Sequence, residues 1–287
     1  MRPRCHGVRK DRCGVWENPP MKRLDYFWRL FGTGLSFFFF GIGGLVLSLT
    51  VFPLMNLVVR DRERRAAHAQ RLVHIMFRLH RNFMIVMGVL DFEVHNAEAL
   101  ATDEGVLVVA NHPTLLDVVL LMSLMRRSQC IVKADIWRNP FMRGVVNATG
   151  YIRNDGDAET LVADCARMLA QGHNLIVFPE GSRTVPDAPV KLQRGVANIA
   201  IRAGSPIRLV TIRCEPPTLM KGQKWYEIPP RRMHFTITVH GLVETGAYIG
   251  ESVPSIAARR LNDFLAEWLT GEVGHGTDRR SNSASHR

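Results

Sequence analysis

Hydrophobic and polar positions change period along this chain, and the changes divide it. Residues 30–59 run without one charged side chain. As one helix they would extend about 45 Å, beyond the ~30 Å of a bilayer's hydrocarbon core. The pattern fits a tilted single span, or a helical hairpin broken near Gly41-Ile42-Gly43-Gly44 that dips into one leaflet. Beyond it, Leu72, Ile75, Met76, Leu79 and Phe83 recur at helical spacing with Arg71, Arg78 and Arg81 between them. That predicts an amphipathic helix over 60–84, set against a membrane surface, against the rest of the protein, or both.

Shorter apolar runs follow. Strands are predicted at 92–95, 105–110, 131–133, 151–152, 175–178, 208–213 and 235–240. The run at 105–110 is apolar without alternation, the mark of a strand covered on both faces. Helices are predicted at 114–125, at 158–171 (ended by Gly172), at 196–203 (ended by Gly204) and at 253–269. Strand and helix alternate, so the fold class is α/β, with a mixed, largely parallel sheet flanked by helices. The expected organisation is an extension or misassigned start at 1–20, membrane-associated helices at 21–90, a catalytic domain at 91–270 and a disordered tail at 271–287.

Charge narrows the partners. The formal net charge is +11, which favours nucleic acid, acidic lipid headgroups or phosphorylated substrates. Lys22, Arg23 and Arg29 precede or open the apolar run, and Arg60, Arg62, Arg64 and Arg65 follow it. This bias puts the residues after 60 on the cytoplasmic side. Cys5, Cys13, Cys130, Cys165 and Cys214 form no C-x-x-C pair, so reduced thiols are expected and no metal site is assigned. His68, His74 and His80 are six apart, which is not a ligand spacing.

Three blocks carry chemistry. In Asn111-His112-Pro113-Thr114-Leu115-Leu116-Asp117, a residue before proline avoids the α region and proline opens helices. His112 is therefore expected at a helix cap, with Pro113 opening the helix and Asp117 one turn in. Asp117 can then fix one imidazole nitrogen and leave the other as a base. In isolation the pair also fits a capping His beside a solvated Asp. The block Phe178-Pro179-Glu180-Gly181-Ser182-Arg183 leaves the end of a buried strand, where open α/β sheets place ligands. Arg183 suits a phosphate, Glu180 a hydroxyl or an arginine, and Gly181 a tight turn. In Gly150-Tyr151-Ile152-Arg153, Arg153 is a phosphate-binding candidate only through its order relative to the other two blocks. Lys133 and Arg194 are second-tier candidates.

These blocks, in this order, resemble the glycerolipid acyltransferase family (the lysophosphatidic acid acyltransferase type). The likeness covers residues 94–238: His-x4-Asp in the first block, Gly-x-Ile-x-Arg in the second, Phe-Pro-Glu-Gly-Thr-Arg in the third, and Gly204-Ser205-Pro206-Ile207 for a fourth. It implies transfer of an acyl chain from a thioester, on coenzyme A or acyl carrier protein, to a lysolipid hydroxyl. His112 would be the base and Asp117 its partner. Arg153, Glu180, Gly181, Ser182 and Arg183 would hold the acceptor, 1-acylglycerol 3-phosphate first among them. No cofactor is implied. Departures are Ser182 and Thr184, where the family more often has Thr and Ser, Leu209 in place of a proline, and a displaced Gly144.

The expected mechanism has His112 take the acceptor's proton, with the oxyanion on backbone N–H groups of the helix opened by Pro113. The expected location is a membrane, a bacterial inner membrane with the domain cytoplasmic. Rival readings are an acyltransferase for a lyso-ornithine-type lipid, lipid A or a polyene conjugate, and an inactive membrane lipid-binding protein. A nucleic-acid binder is disfavoured by the apolar run and the lack of a nucleic-acid module.

Overall fold

The computed structural model describes residues 23–154, 156–184, 192–250 and 253–282. The extension expected at 1–20, with Cys5 and Cys13, lies outside them. Helix α1 (Arg23–Val46) passes through one π-helical turn (Leu47–Val51) into α2 (Phe52–Val58), and α3 (Arg62–Val86) follows. The chain then reads β1 (Leu90–His95), α4 (Ala97–Thr102), β2 (Leu107–Ala110), α5 (Asp117–Met122) and β3 (Gln129–Lys133). Next come α6 (Ala134–Arg138), α7 (Arg143–Thr149), β4 (Ile152–Asn154), α8 (Ala158–Ala170), β5 (Leu175–Val177) and α9 (Gly195–Ala203). It closes with β6 (Ile207–Glu215), β7 (Met233–Val243), α10 (Gly246–Ile249) and α11 (Pro254–Asn282).

The seven strands form one sheet in the order β1-β7-β6-β2-β5-β3-β4. Every neighbouring pair is parallel except β6 with β7. The mixed, largely parallel sheet is thus present. Its faces separate along β2: Val108 and Ala110 pack with Leu120, Leu121 and Phe235, whereas Leu107 and Val109 pack with Leu261, Leu265 and Ala200. Alternate side chains of a strand point to opposite faces, so a strand covered on both sides must be apolar at every position.

The residues 23–58 make one continuous helical rod, long and apolar enough to cross a membrane. No hairpin forms at Gly41–Gly44. The ladder widens instead at Leu47–Val51, just ahead of Pro53. Proline has no N–H to donate and its ring crowds the carbonyl four residues back, and a π turn accommodates both. One side of the rod lies along the domain. Arg29, Thr33 and Ser36 are buried there. A Cβ on Gly32 would meet Val89 Cγ2 at 2.7 Å, and one on Gly44 would meet the Phe141 carbonyl at 2.7 Å. Gly144, displaced relative to the family pattern, sits where a Cβ would meet that of Ser48 at 2.3 Å. The rod's other side exposes Phe27, Phe31, Phe38, Phe39 and Leu54 to solvent.

Helix α3 packs against the rest of the protein along one face. It buries Ala69, Val73 and His74 against the domain and exposes Ile75, Leu79 and Val86. At the other end, α11 continues to Asn282, past Leu269 and through most of the stretch expected to be disordered. Residues 283–287 lie outside the described part.

Candidate active site

Strands β2 and β5 are parallel neighbours at the centre of the sheet, and β6 runs parallel to β2 on its other side. The loops that leave their carboxyl ends therefore share one edge. Asn111 starts the first loop by imitating a strand residue. Its amide donates to the Ile212 carbonyl at 2.8 Å and accepts from the Ile212 N–H at 2.7 Å. The β2–β6 ladder is thereby carried one residue further in a buried setting, and His112 is set at its tip.

The backbone of His112 is gripped on both sides. Its N–H donates to Glu180 Oε1 at 3.0 Å, and its carbonyl accepts from the Thr184 N–H at 2.7 Å. The ring stacks on Phe178, with centroids 4.3 Å apart. Nδ1 lies 2.8 Å from Asp117 Oδ2. An ionised carboxylate only accepts, so Nδ1 carries the proton and Nε2 keeps its lone pair. Asp117 is wholly buried. Burial pushes its carboxyl above the usual value. The bonds from His112, the Thr114 hydroxyl (2.6 Å) and the Thr114 N–H (2.7 Å) act in the opposite direction.

The local fold differs from the proline-opened helix. Helix α5 begins at Asp117, and residues 113–116 form a turn. The carboxylate of Asp117 gathers both Thr114 donors, and the Leu115 N–H is drawn to the Leu219 carbonyl at 3.1 Å. The Leu116 N–H is held by the Thr114 hydroxyl at 3.2 Å. Every N–H from 114 to 116 already has a partner within the protein, so these three are not free donors for an oxyanion.

The second loop turns tightly. The Gly181 N–H donates to the Phe178 carbonyl at 3.0 Å, with Pro179 suited to the first central position of such a turn. Gly181 has φ +67°, and a Cβ there would press on Gln193 Cγ at 3.2 Å, so the turn favours glycine. Arg183 Nη1 donates to the carbonyls of Leu219 and Met220, both at 2.9 Å. That bond ties the turn to the loop 216–232 between β6 and β7.

Beside these groups opens a cavity of about 1810 Å³. His112, Gly181, Ser182, Arg183, Lys133 and Arg194 line it, together with Phe37, Phe40, Phe77, Met84, Val196 and Ile199. Its wall is mostly hydrocarbon, and the charged groups come from a few loops and strand ends. Of the residues singled out from the sequence, Glu180 reaches the backbone of His112 rather than the cavity. Arg153 stands apart: it lies on the edge strand β4, with its guanidinium 5.6 Å from the centre of the Trp137 ring, and it does not line the cavity.

Sequence reasoning missed Lys221, which lines the cavity and places Nζ 3.3 Å from Ser182 Oγ. It follows no strand and belongs to no block, so only the loop's path could reveal it. His80, set aside on spacing, also lines the cavity, and burial lowers its pKa to about 4. Thr114, Asn111 and Phe178 were inside the quoted blocks but had no role. Cys130, Cys165 and Cys214 are buried free thiols whose pKa burial pushes up to about 12, so none is a ready thiolate.

The site thus combines a carboxylate-held imidazole with a largely apolar cavity rimmed by cations. Residues 91–214 match the profile of the family described as Acyltransferase. The chain is 28% identical over 142 residues to a 1-acyl-sn-glycerol-3-phosphate acyltransferase of Chlamydomonas reinhardtii, covering 48% of this chain and 42% of that one. It is 25% identical over 233 residues to 1-acyl-sn-glycerol-3-phosphate acyltransferase alpha of Homo sapiens, covering 77% of each. The chain thus spans less than half the length of the algal relative and about three quarters of the human one. Its fold is that of the crystal structure of the 1-acyl-sn-glycerophosphate (LPA) acyltransferase PlsC from Thermotoga maritima. There the TM-score is 0.63 at 19% identity, over 85% of this chain and 97% of that one. Over residues 91–214 the chain is thus similar to the family described as Acyltransferase.

Proposed function

We propose that this protein moves a fatty acyl group from a thioester, on coenzyme A or acyl carrier protein, to the hydroxyl of a lysophospholipid at a membrane surface. The first candidate acceptor is 1-acylglycerol 3-phosphate, which would give phosphatidic acid. The observation that carries this reading is the His112–Asp117 pair, its Nε2 without a hydrogen bond among the described residues, at the wall of a cavity large enough for acyl chains.

In the proposed reaction the acceptor hydroxyl donates its proton to His112 Nε2 as its oxygen attacks the thioester carbonyl carbon. Asp117 stabilises the imidazolium that results. As the tetrahedral adduct collapses, the carbon–sulfur bond breaks, and the departing thiolate takes the proton back from Nε2. One ester and one thiol result, and His112 is returned neutral. The cationic groups Lys133, Arg183 and Arg194 favour an anionic acceptor. Arg153 can join them only if its side chain leaves Trp137. The exposed apolar side of α1 and α2, with Arg60, Arg62, Arg64 and Arg65 just after it, supports attachment to an anionic membrane. A bacterial inner membrane with a cytoplasmic domain is the location we assign.

The test is acyl transfer by membranes carrying the full chain, with both thioester carriers and a panel of lysolipids. A His112→Ala control should lose roughly 10³-fold or more in rate while keeping its melting temperature. Near-normal transfer by that variant would remove His112 as the base. Transfer to a lyso-ornithine-type lipid or another specialised acceptor, and not to the phosphate acceptor, would keep the mechanism and replace the substrate.

A further inference from the structure

The loop 216–232 contains a residue in an uncommon backbone state. Leu219 has φ +53°, a conformation that side-chain-bearing residues rarely adopt and that tends to mark functional loops. The conformation has a visible result. The Leu219 carbonyl turns toward the site and accepts from both the Leu115 N–H (3.1 Å) and Arg183 Nη1 (2.9 Å). The Met220 carbonyl accepts from the same Nη1 at 2.9 Å, and the Met220 N–H is held by Gln223 Oε1 at 2.9 Å. One bent residue thus fastens this loop to both blocks of the site. The next residue is Lys221, whose Nζ comes within 3.3 Å of Ser182 Oγ.

The two cations beside Ser182 therefore differ in what they already hold. Arg183 has one nitrogen given to two carbonyls and works as a bolt between loops. Lys221 is exposed, and its recorded partner is a neutral hydroxyl. Among the described residues no carboxylate lies in ion-pair contact with it. An ammonium has three donors, and a hydroxyl satisfies one. Lys221, Ser182, Arg183 and His112 all line the same cavity.

We infer that Lys221 binds the phosphate monoester of the acceptor directly, with Ser182 orienting its ammonium, and that this contact makes the site select a phosphate-bearing lysolipid. The inference rests on the acyl-transfer reading above. Coenzyme A also carries phosphates, so the acceptor and the donor are separate sources of the same chemistry. We assign the contact to the acceptor because the ammonium lies beside the turn of Gly181 and Ser182, at the wall that also carries His112, where the acceptor's hydroxyl must dock.

The experiment compares wild type, Lys221→Met, Lys221→Arg and Lys224→Met, all as full chains in the same detergent or membrane. Lys224 has its ammonium over the Tyr226 ring, 5.5 Å from its centre, and it removes the same charge three residues away. Steady-state rates are measured against 1-acylglycerol 3-phosphate and, separately, against acyl-coenzyme A and acyl carrier protein donors. A charge-assisted contact at an exposed position predicts roughly a tenfold rise in acceptor KM for Lys221→Met. Donor KM values should stay constant, Lys221→Arg should recover most of the loss, and Lys224→Met should match wild type. Binding is read independently in a His112→Ala background, as the shift in melting temperature caused by 1-acylglycerol 3-phosphate over that caused by 1-acylglycerol. Lys221→Met should abolish the difference. An unchanged acceptor KM, a rise confined to the coenzyme A donor, or an equal loss in Lys224→Met would overturn the inference. If Lys221→Met binds normally while wild type still transfers acyl groups, the inference fails and the acyl-transfer reading stands. If wild type neither transfers to nor binds the phosphate acceptor, both fail.

Discussion

Arg29 donates from Nη1 to the carbonyl of Pro229 at 2.8 Å, joining positions 200 residues apart. A second nitrogen reaches the Pro230 carbonyl at 3.2 Å, and Nε reaches Asp25 at 3.0 Å. The apolar helix α1 is thereby attached to the same loop whose other end holds Arg183 and carries Lys221. The Trp225 ring, in the middle of that loop, also packs on Phe37 of α1, with centroids 6.3 Å apart. The apolar helix α1 and the turn that carries Arg183 are thus mechanically joined through one loop.

Replacing Arg29 should therefore be felt in two places. Arg29→Leu leaves two loop carbonyls without their buried donor and should destabilise the fold by about 1–3 kcal/mol. Asp25 is 56% exposed and can turn to water, so its part of the loss is small. Thermal unfolding in detergent measures the first effect. A raised acceptor KM at constant donor KM measures the second. A wild-type melting curve would show that the loop is held elsewhere.

Gly32 offers a test of how closely α1 approaches the domain. Alanine is favoured over glycine inside a helix by about 1 kcal/mol. Here the added Cβ would lie 2.7 Å from Val89 Cγ2, and valine is stiff at χ1 and cannot swing away. Overpacking of about 1–3 kcal/mol should win. Gly32→Ala should therefore destabilise the wild type, and its effect should become neutral or favourable when introduced into Val89→Ala. Additive losses in that double-mutant cycle would contradict the contact.

Asn111 has no part in the chemistry as drawn, yet its replacement should impair both folding and rate. Asn111→Ala removes two buried hydrogen bonds and leaves the Ile212 N–H and carbonyl unmatched, a loss of about 2–5 kcal/mol. His112 is the adjacent residue, so kcat should fall as well. Amide exchange at Ile212 should accelerate. Protection at wild-type level would mean that the β2–β6 ladder ends at Ala110.

Asp117→Asn should separate stability from activity. Rate should fall about 10²–10⁴-fold, because an amide stabilises neither the proper imidazole tautomer nor the imidazolium. Stability should behave differently with pH. The folded carboxyl titrates above its ordinary value. At the lowest pH both states are protonated, and the group contributes nothing. As pH rises past the ordinary carboxylate value, the unfolded chain ionises first, and wild-type stability declines until the folded carboxyl ionises too. The melting temperature of Asp117→Asn minus that of wild type should therefore increase across that window and then level off. A difference that decreases with pH would reverse the assigned direction.

Much of the fold could be read directly. Six of the seven strands fall on the short apolar runs, and β4 shares only Ile152 with the run at 151–152; β2 and β5, buried at every position, were legible because a strand covered on both faces needs apolar residues at consecutive positions, and that pattern is local. The His112–Asp117 contact also forms, although by a different route. Spacing and Pro113 implied a helix, whereas the structure has a turn, since Asp117 competes for the Thr114 donors that a helix would leave unmet. Of the two forms the apolar run allowed, the hairpin broken at Gly41–Gly44 is absent; Gly44 lies where a Cβ would meet the Phe141 carbonyl, and the irregularity falls beside Pro53. The helix at 254–282 outlasts its apolar pattern.

By itself the sequence determined the α/β class, the apolar N-terminal segment and the residue types at the site, since each depends on chemistry between near neighbours in the chain. Only the tertiary structure decided which cations accompany His112. Strand order brings the ends of β2, β5 and β6 to one edge, so Lys221 joins the cavity while Arg153, on the outer strand β4, rests on Trp137. Which loops meet is set by the pairing of strands far apart in sequence, and no local pattern of hydrophobic and polar residues encodes that pairing.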